Sequence, residues 1–276
     1  MREIKSEIIV SAVAELCASA NIYIDEKILN KFESFSGEGN EKFVIDTLIQ
    51  NAEIAAKEKL PLCQDTGMAV IFAEIGQDVY VSGALTEAIN EGVRIGYETS
   101  FLRKSVVADP VRRINTGTNT PAVIHYDIVE GDSVKITVAP KGFGSENMST
   151  LKMLTPSAGL QGVREFVVET VRSAGQNPCP PIVAGVGVGG TAEKSMLMAK
   201  KALTRELGKH NPDKFWADVE DELLHALNEL NIGAGGFGGK LTALAVHINV
   251  FATHIAGLPV AVNIGCHSTR HKTVVI

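Results

Sequence analysis

Four cysteines, Cys17, Cys63, Cys179 and Cys266, are the residues of this sequence best suited to metal or thiol chemistry, and three of them share a setting. Cys63 stands in LPLCQDTG, Cys179 in QNPCPPIV and Cys266 in NIGCHSTR, each at the junction of a loop sequence and an apolar run. Cys17 lies inside a helix-spaced apolar stretch, where a cysteine serves as a small buried hydrophobe. Gln64 and Asp65 follow Cys63 directly, so one loop presents a thiol, an amide and a carboxylate together. Prolines bracket Cys179 and restrict its backbone. The spacings between the three, 116 and 87 residues, carry no local ligand signature, so on spacing alone three unrelated thiols is the favoured reading. Chemistry tilts it slightly: three thiolates can hold a [4Fe–4S] cluster by three irons and leave the fourth open as a Lewis acid.

The elements that must position these residues follow from periodicity. Helical spacing covers residues 3–19, 41–59, 84–99, 157–175, 191–207 and 213–230. Strands are predicted at 68–75, 122–129, 133–140, 181–190, 241–250 and 259–266. Pro61 ends the second helix, which makes LPLCQDTG the loop after it, and Glu130-Gly131-Asp132 reads as the turn of a hairpin joining 122–129 to 133–140. KGFGSEN (141–147), QNPCPP (176–181) and IGAGGFGGK (232–240) read as loops. The result is a mixed α/β fold: a mixed sheet with several helices in one domain, with no repeat, linker or evident boundary over residues 1–276.

Composition narrows the class. Apolar residues make up 45% and charged residues 21%, with net charge −6, a balance that disfavours nucleic-acid binding through phosphate neutralisation. No uninterrupted apolar run reaches the roughly 18–20 residues of a membrane span, and the N-terminal MREIKSEIIVSAVAELC reads as an amphipathic helix. The expectation is a cytoplasmic protein without a membrane partner, its cysteines thiols or metal ligands.

CQDTG, KGFGSEN, NPCPP, GVGVGGTAEK and GLPVAVNIGC, in this order, resemble the alpha-type half of the iron–sulfur hydro-lyases, the class I fumarate hydratases and L(+)-tartrate dehydratases. The resemblance runs from about residue 45 to the C-terminus. It implies that Cys63, Cys179 and Cys266 bind a [4Fe–4S] cluster with one open iron, and that Gln64 and Asp65 reach a substrate bound there. Asp65 would handle the proton. Arg103, in FLRKSVVADP, matches the family arginine that holds a substrate carboxylate, for which a guanidinium fork is suited. Gly142, Gly144 and Ser145 would approach the substrate from the glycine loop, and His254 matches a family histidine near the site. Two positions depart from the family pattern: Phe143 replaces a glycine, and Met148 stands where lysine is common. The chain ends ten residues after Cys266, where single-chain members continue into a beta-type domain, so the resemblance implies a separate beta-type subunit, as an α2β2 assembly. KGFGSEN and GGTAEK favour fumarate/malate as substrate over tartrate.

Two other readings compete. GVGVGG (185–190) formally fits the dinucleotide fingerprint and would indicate an NAD-dependent dehydrogenase, but the required second strand with a terminal acid is replaced by two helices. An iron–sulfur carrier would need no amide and acid beside its first cysteine.

Overall fold

The structure, a computed structural model, describes residues 1–276 and is mixed α/β, as expected. The chain begins with β1 (Arg2–Lys5), α1 (Ser6–Ile22), α2 (Glu26–Glu33), α3 (Gly39–Glu58), β2 (Met68–Gly76), β3 (Val79–Ser82) and α4 (Leu85–Thr99). It continues through β4 (Val123–Val129), β5 (Val134–Lys141), the single turn α5 (Phe143–Glu146), β6 (Thr150–Leu154), α6 (Gly159–Ala174) and β7 (Ile182–Gly189). It closes with α7 (Ala192–Ala202), α8 (Lys214–Asn228), β8 (Ala243–Phe251), β9 (Leu258–Gly265) and β10 (Lys272–Val275).

The chain divides into two compact units. One comprises Met1–Ile24, Asn51–Phe143 and Arg270–Ile276; the other comprises Asp25–Gln50 and Gly144–Thr269. The chain passes from one to the other at 24/25, 50/51, 143/144 and 269/270, and the second and third passages fall inside α3 and α5. No linker composition marks them, which is why the sequence shows no boundary.

The first unit is built on a sheet of order β10-β5-β2-β4. The hairpin expected of residues 122–129 and 133–140 does not form: β2 lies between them, parallel to β4 and antiparallel to β5. MAVIFAEIG is apolar enough to be a central strand, which needs a partner on each side. The expected turn wraps over its end instead, with Gly76 N donating to Ser133 O (2.9 Å), Gln77 N to Val129 O (2.8 Å) and Asp78 N to Gly131 O (3.0 Å). β10 adds to the free edge of β5, pairing Lys272 with Val138. Helices α1 and α4 cover this sheet, and Ile9, Val13, Cys17, Ile71, Ile89, Val93 and Ile136 form the core. By length and composition alone the stretch Ser6–Glu33 is apolar enough to cross a membrane, although charged residues interrupt it. Yet α1 buries Ile9, Val13, Leu16 and Cys17 in this core and breaks at Tyr23, so its apolar face is already used.

The second unit has the sheet order β6-β9-β7-β8, with β7 parallel to β8 and antiparallel to β9. Every residue of β7 is buried, as in a central strand covered on both faces. Val167, Val171, Ile182, Val186, Leu223, Leu227, Ile248 and Val262 make its core. α7 lies directly on β7. A Cβ on Gly185 would stand 2.1 Å from Ala199 O, and one on Gly187 only 1.9 Å from Ser195 O. Gly185 and Gly187 of GVGVGG therefore admit a helix backbone rather than a nucleotide.

Candidate active site

In the first unit, the loop between α3 and β2 carries Cys63, Gln64 and Asp65 and is pinned at both ends. Before Cys63, Leu62 N donates to Asn21 O (2.8 Å) and Asn51 Nδ2 donates to Leu62 O (2.9 Å). After Asp65, the buried Tyr97 hydroxyl donates to Thr66 O (2.8 Å) and Gly67 O (3.0 Å), and Asn119 Nδ2 also reaches Gly67 O (3.1 Å). Gly67 takes φ +76° with its Cα against the Lys141 backbone, which ties the loop to the end of β5. The three intervening side chains are thus held in a short rigid span. Cys63 and Asp65 are half-buried and Gln64 is exposed.

The structure brings most of the expected residues of this unit together. Arg103 is exposed, and its Nη1 donates to Gln64 Oε1 (3.2 Å), while Thr66 Oγ1 donates to Arg103 O (3.1 Å). Asp65 accepts from Gly67 N through Oδ1 (3.0 Å) and from Phe143 N through Oδ2 (2.9 Å). Gly142 faces the same carboxylate: a Cβ there would lie 3.1 Å from Asp65 Oδ2. One short loop thus pairs an amide with the exposed Arg103 guanidinium and a carboxylate with the backbone at Gly142 and Phe143.

Three residues of this neighbourhood escaped sequence reasoning. Arg270 is buried, donates from Nη1 to Asn21 Oδ1 (2.8 Å), and brings Nη2 to 3.2 Å from the Cβ position of Gly142. Burial raises the Tyr97 phenol far above its usual range, so it stays a neutral donor. For Arg270 a signal was present, a cation in CHSTRH four residues past Cys266; Asn21 and Tyr97 sit inside helices with nothing to mark them.

In the second unit, Cys179 and Cys266 lie at the same end of the sheet, just before β7 and just after β9. Cys179 is exposed, at φ +55°, ahead of a cis Pro180–Pro181 bond. Its carbonyl accepts from His267 N (3.2 Å) and faces His267 Nδ1 (3.3 Å), which locks the two cysteine loops together. Cys266 is half-buried, its Sγ 3.1 Å from Ser268 Oγ. A Cβ on Gly144 would stand 3.4 Å from Asn177 O beside this loop, and Ser145 is buried. Glu146 joins Lys200 in an ion pair and accepts from Asn263 Nδ2 (3.1 Å), so the acid of KGFGSEN is engaged within the unit. Met148, at the position where lysine is common in the family, receives Asn177 Nδ2 on its sulfur (3.7 Å).

His254 is not brought to this end. It lies in the turn between β8 and β9, where its Nδ1 accepts from Ala256 N (3.2 Å). That turn sits at the Gly189 end of β7, whereas Cys179 and Cys266 sit at the Ile182 end. An eight-residue strand separates them by roughly 25 Å. Within one chain His254 therefore stands a strand's length from Cys179 and Cys266, although only twelve residues separate it from Cys266.

No three His, Cys, Asp or Glu side chains are gathered as ligands of a single metal ion. None of the four cysteines is in a disulfide, and three of them lie on loops, at least partly exposed. Burial pushes the fourth, Cys17, up to about 12, so it remains protonated. Three loop thiols are donors of the kind an iron–sulfur cluster takes, one thiolate to each iron.

Comparison with known proteins agrees with the motifs. The family model for fumarate hydratase (Fumerase) matches residues 10–275, further toward the N-terminus than the motifs reached. A protein of Methanocaldococcus jannaschii, provisionally named L(+)-tartrate dehydratase subunit alpha, is 43% identical over 267 residues, covering 94% of each chain. The L(+)-tartrate dehydratase subunit alpha of Escherichia coli O157:H7 is 32% identical over 239 residues, covering 85% of this chain and 78% of its own. The protein of the same name from Escherichia coli strain K12 is 31% identical over 239 residues, with the same coverage. With the family model matched over nearly the whole length and relatives at 43% and 32% identity, this chain belongs to the alpha-subunit family of the iron–sulfur hydro-lyases.

Proposed function

We propose that this chain is the alpha-type subunit of a hydro-lyase that removes water from a four-carbon 2-hydroxydicarboxylate, with L(+)-tartrate as its first-choice substrate. The names of the relatives favour tartrate over the fumarate/malate pair that the motif wording favoured. The observation that carries the reading is the pinned loop in which Gln64 and Asp65 follow Cys63, Gln64 meeting Arg103 and Asp65 held by the Gly67 and Phe143 amides. Fumarate/malate stands second, on the description of the family model.

Cys63, Cys179 and Cys266 would hold a [4Fe–4S] cluster, which when bound supplies a Lewis-acidic iron to ease departure of hydroxide. The chain's own residues do the rest. The Arg103 guanidinium binds a substrate carboxylate and so orients the C–H bond to be broken. Gln64, tied to Arg103, adds an amide to the same face. Asp65 is fixed by two backbone amides; its carboxylate would accept the proton from carbon as hydroxide departs, and passing that proton to the hydroxide completes the water released. A beta-type subunit, in an α2β2 assembly, would supply the remaining substrate contacts.

The test is co-expression with a beta-type partner, anaerobic reconstitution, and assay on L(+)-tartrate and malate side by side. Tartrate turnover supports the first reading, and malate turnover with tartrate inert supports the second. Turnover of neither by protein with a full iron and sulfide complement removes both. Cys63→Ser, Cys179→Ser and Cys266→Ser are each expected to abolish the visible cluster absorption. A loop-cysteine variant with undiminished absorption and turnover would sink the three-ligand assignment.

A further inference from the structure

Arg270 has no place in the account above, yet its setting is unusual. It is 7% exposed, and its side-chain hydrogen-bond partner is Asn21, a neutral residue that is 0% exposed. A buried guanidinium without a carboxylate in direct contact is costly unless a charge nearby compensates it. The nearby charge is Asp65. Arg270 Nη2 and Asp65 Oδ2 stand 3.2 and 3.1 Å from the one point where Gly142 would carry a Cβ. The Tyr97 phenol senses both charges. The fold produces this meeting directly: β10 pairs with β5, so Arg270, just before β10, comes beside Gly142, just after β5. Asn21, at the end of α1, holds the guanidinium from behind and accepts Leu62 N on its carbonyl, one residue before Cys63.

We propose that Arg270, held by Asn21, is a positioning residue for Asp65: a buried cation that keeps the carboxylate over Gly142 and on the Phe143 amide. It touches neither substrate nor cofactor in this scheme, and it acts by restricting where the Asp65 side chain points. The inference rests on the proposed function only for its kinetic consequence; the geometric claim is separate.

The experiment is amide hydrogen exchange, read by NMR on the full chain, for Arg270→Gln, Arg270→Lys, Asp65→Ala and the Asp65→Ala/Arg270→Gln double variant. The reporter is the Phe143 amide, whose acceptor is Asp65 Oδ2. Arg270→Gln should speed its exchange roughly tenfold, as loss of a charge-assisted bond would. Arg270→Lys, which keeps the charge without the fork, should speed it by about threefold. The double variant should exchange no faster than Asp65→Ala alone, because the two residues act as one unit. Exchange along β5, where it pairs with β10, should not change. An unaltered Phe143 amide in Arg270→Gln overturns the proposal; so does acceleration spread evenly along β5, which marks a merely structural arginine. If the Gln variant does not fold, an unaltered Phe143 amide in Arg270→Lys decides the matter in the same way. In the assembled enzyme, Arg270→Lys should lower kcat with KM little changed, and should add nothing in an Asp65→Asn background. A chain that dehydrates neither substrate would defeat the functional reading while leaving the exchange result to stand or fall alone.

Discussion

GVGVGG and KGFGSEN are both glycine-rich segments at the end of a strand, and the structure uses their glycines for opposite purposes. In the first, the space missing a side chain is filled by backbone: Ser195 O and Ala199 O of α7 occupy the Cβ positions of Gly187 and Gly185. In the second, Gly142 opens toward side-chain charge, Asp65 Oδ2 and Arg270 Nη2, at distances a small adjustment would relieve. The first arrangement builds a sheet–helix layer; the second clears room around a carboxylate. A glycine pattern read as text cannot separate these cases, and the dinucleotide reading of GVGVGG shows how easily packing glycines imitate a phosphate loop. What stands where the Cβ would be separates them.

Four variants sharpen that contrast. Gly187→Ala should have the largest effect: a Cβ 1.9 Å from a helix carbonyl forces α7 off β7, costing about 3 kcal/mol or more, and thermal denaturation should show a marked fall in Tm or no folded protein. A near-native Tm would break the packing half of the comparison. Arg103→Lys should fold normally yet lose roughly two orders of magnitude in kcat/KM for the better substrate, since charge survives but the fork does not. Iron content should be unchanged; wild-type kinetics would make Arg103 an ordinary surface arginine. Gly142→Ala should cost no more than about 1 kcal/mol in stability and lower kcat/KM roughly tenfold by crowding Asp65. If stability falls more than turnover, Gly142 belongs with the packing glycines. Cys17→Ala should be the mildest, about 1 kcal/mol of stability with cluster absorption and turnover intact. In the wild-type folded chain, with burial holding the Cys17 thiol up to about 12, alkylation at pH 8 should label Cys179 and spare Cys17.

Long elements with a clear period were legible. The helices expected at 84–99 and 213–230 appear as Leu85–Thr99 and Lys214–Asn228, and the strands expected at 68–75 and 259–266 appear as Met68–Gly76 and Leu258–Gly265. β1, β3, β6, β10 and α2 went unread, because four or five residues of strand, or two turns of helix, are too few to show a period. The helix expected over 191–207 stops at Ala202, where Leu203–Arg205 close it with short turns. At the site, the Cys63 loop was legible because thiol, amide and acid are consecutive, and Arg103 because its motif is local.

The sequence by itself determined the mixed α/β character, the placing of three cysteines on loops and one in a core helix, and the kinship with the hydro-lyases. Those follow from local period, local composition and ordered motifs, all of which survive without knowledge of the fold. Tertiary structure alone decided that β2 separates β4 from β5, that His254 lies a strand length from Cys179 and Cys266, and that Arg270 closes on Asn21 across 249 residues to stand beside Asp65. The reason is physical: strand order and buried polar pairing are set by which apolar faces and charges can be satisfied together across the whole chain, and no short window of sequence contains both partners.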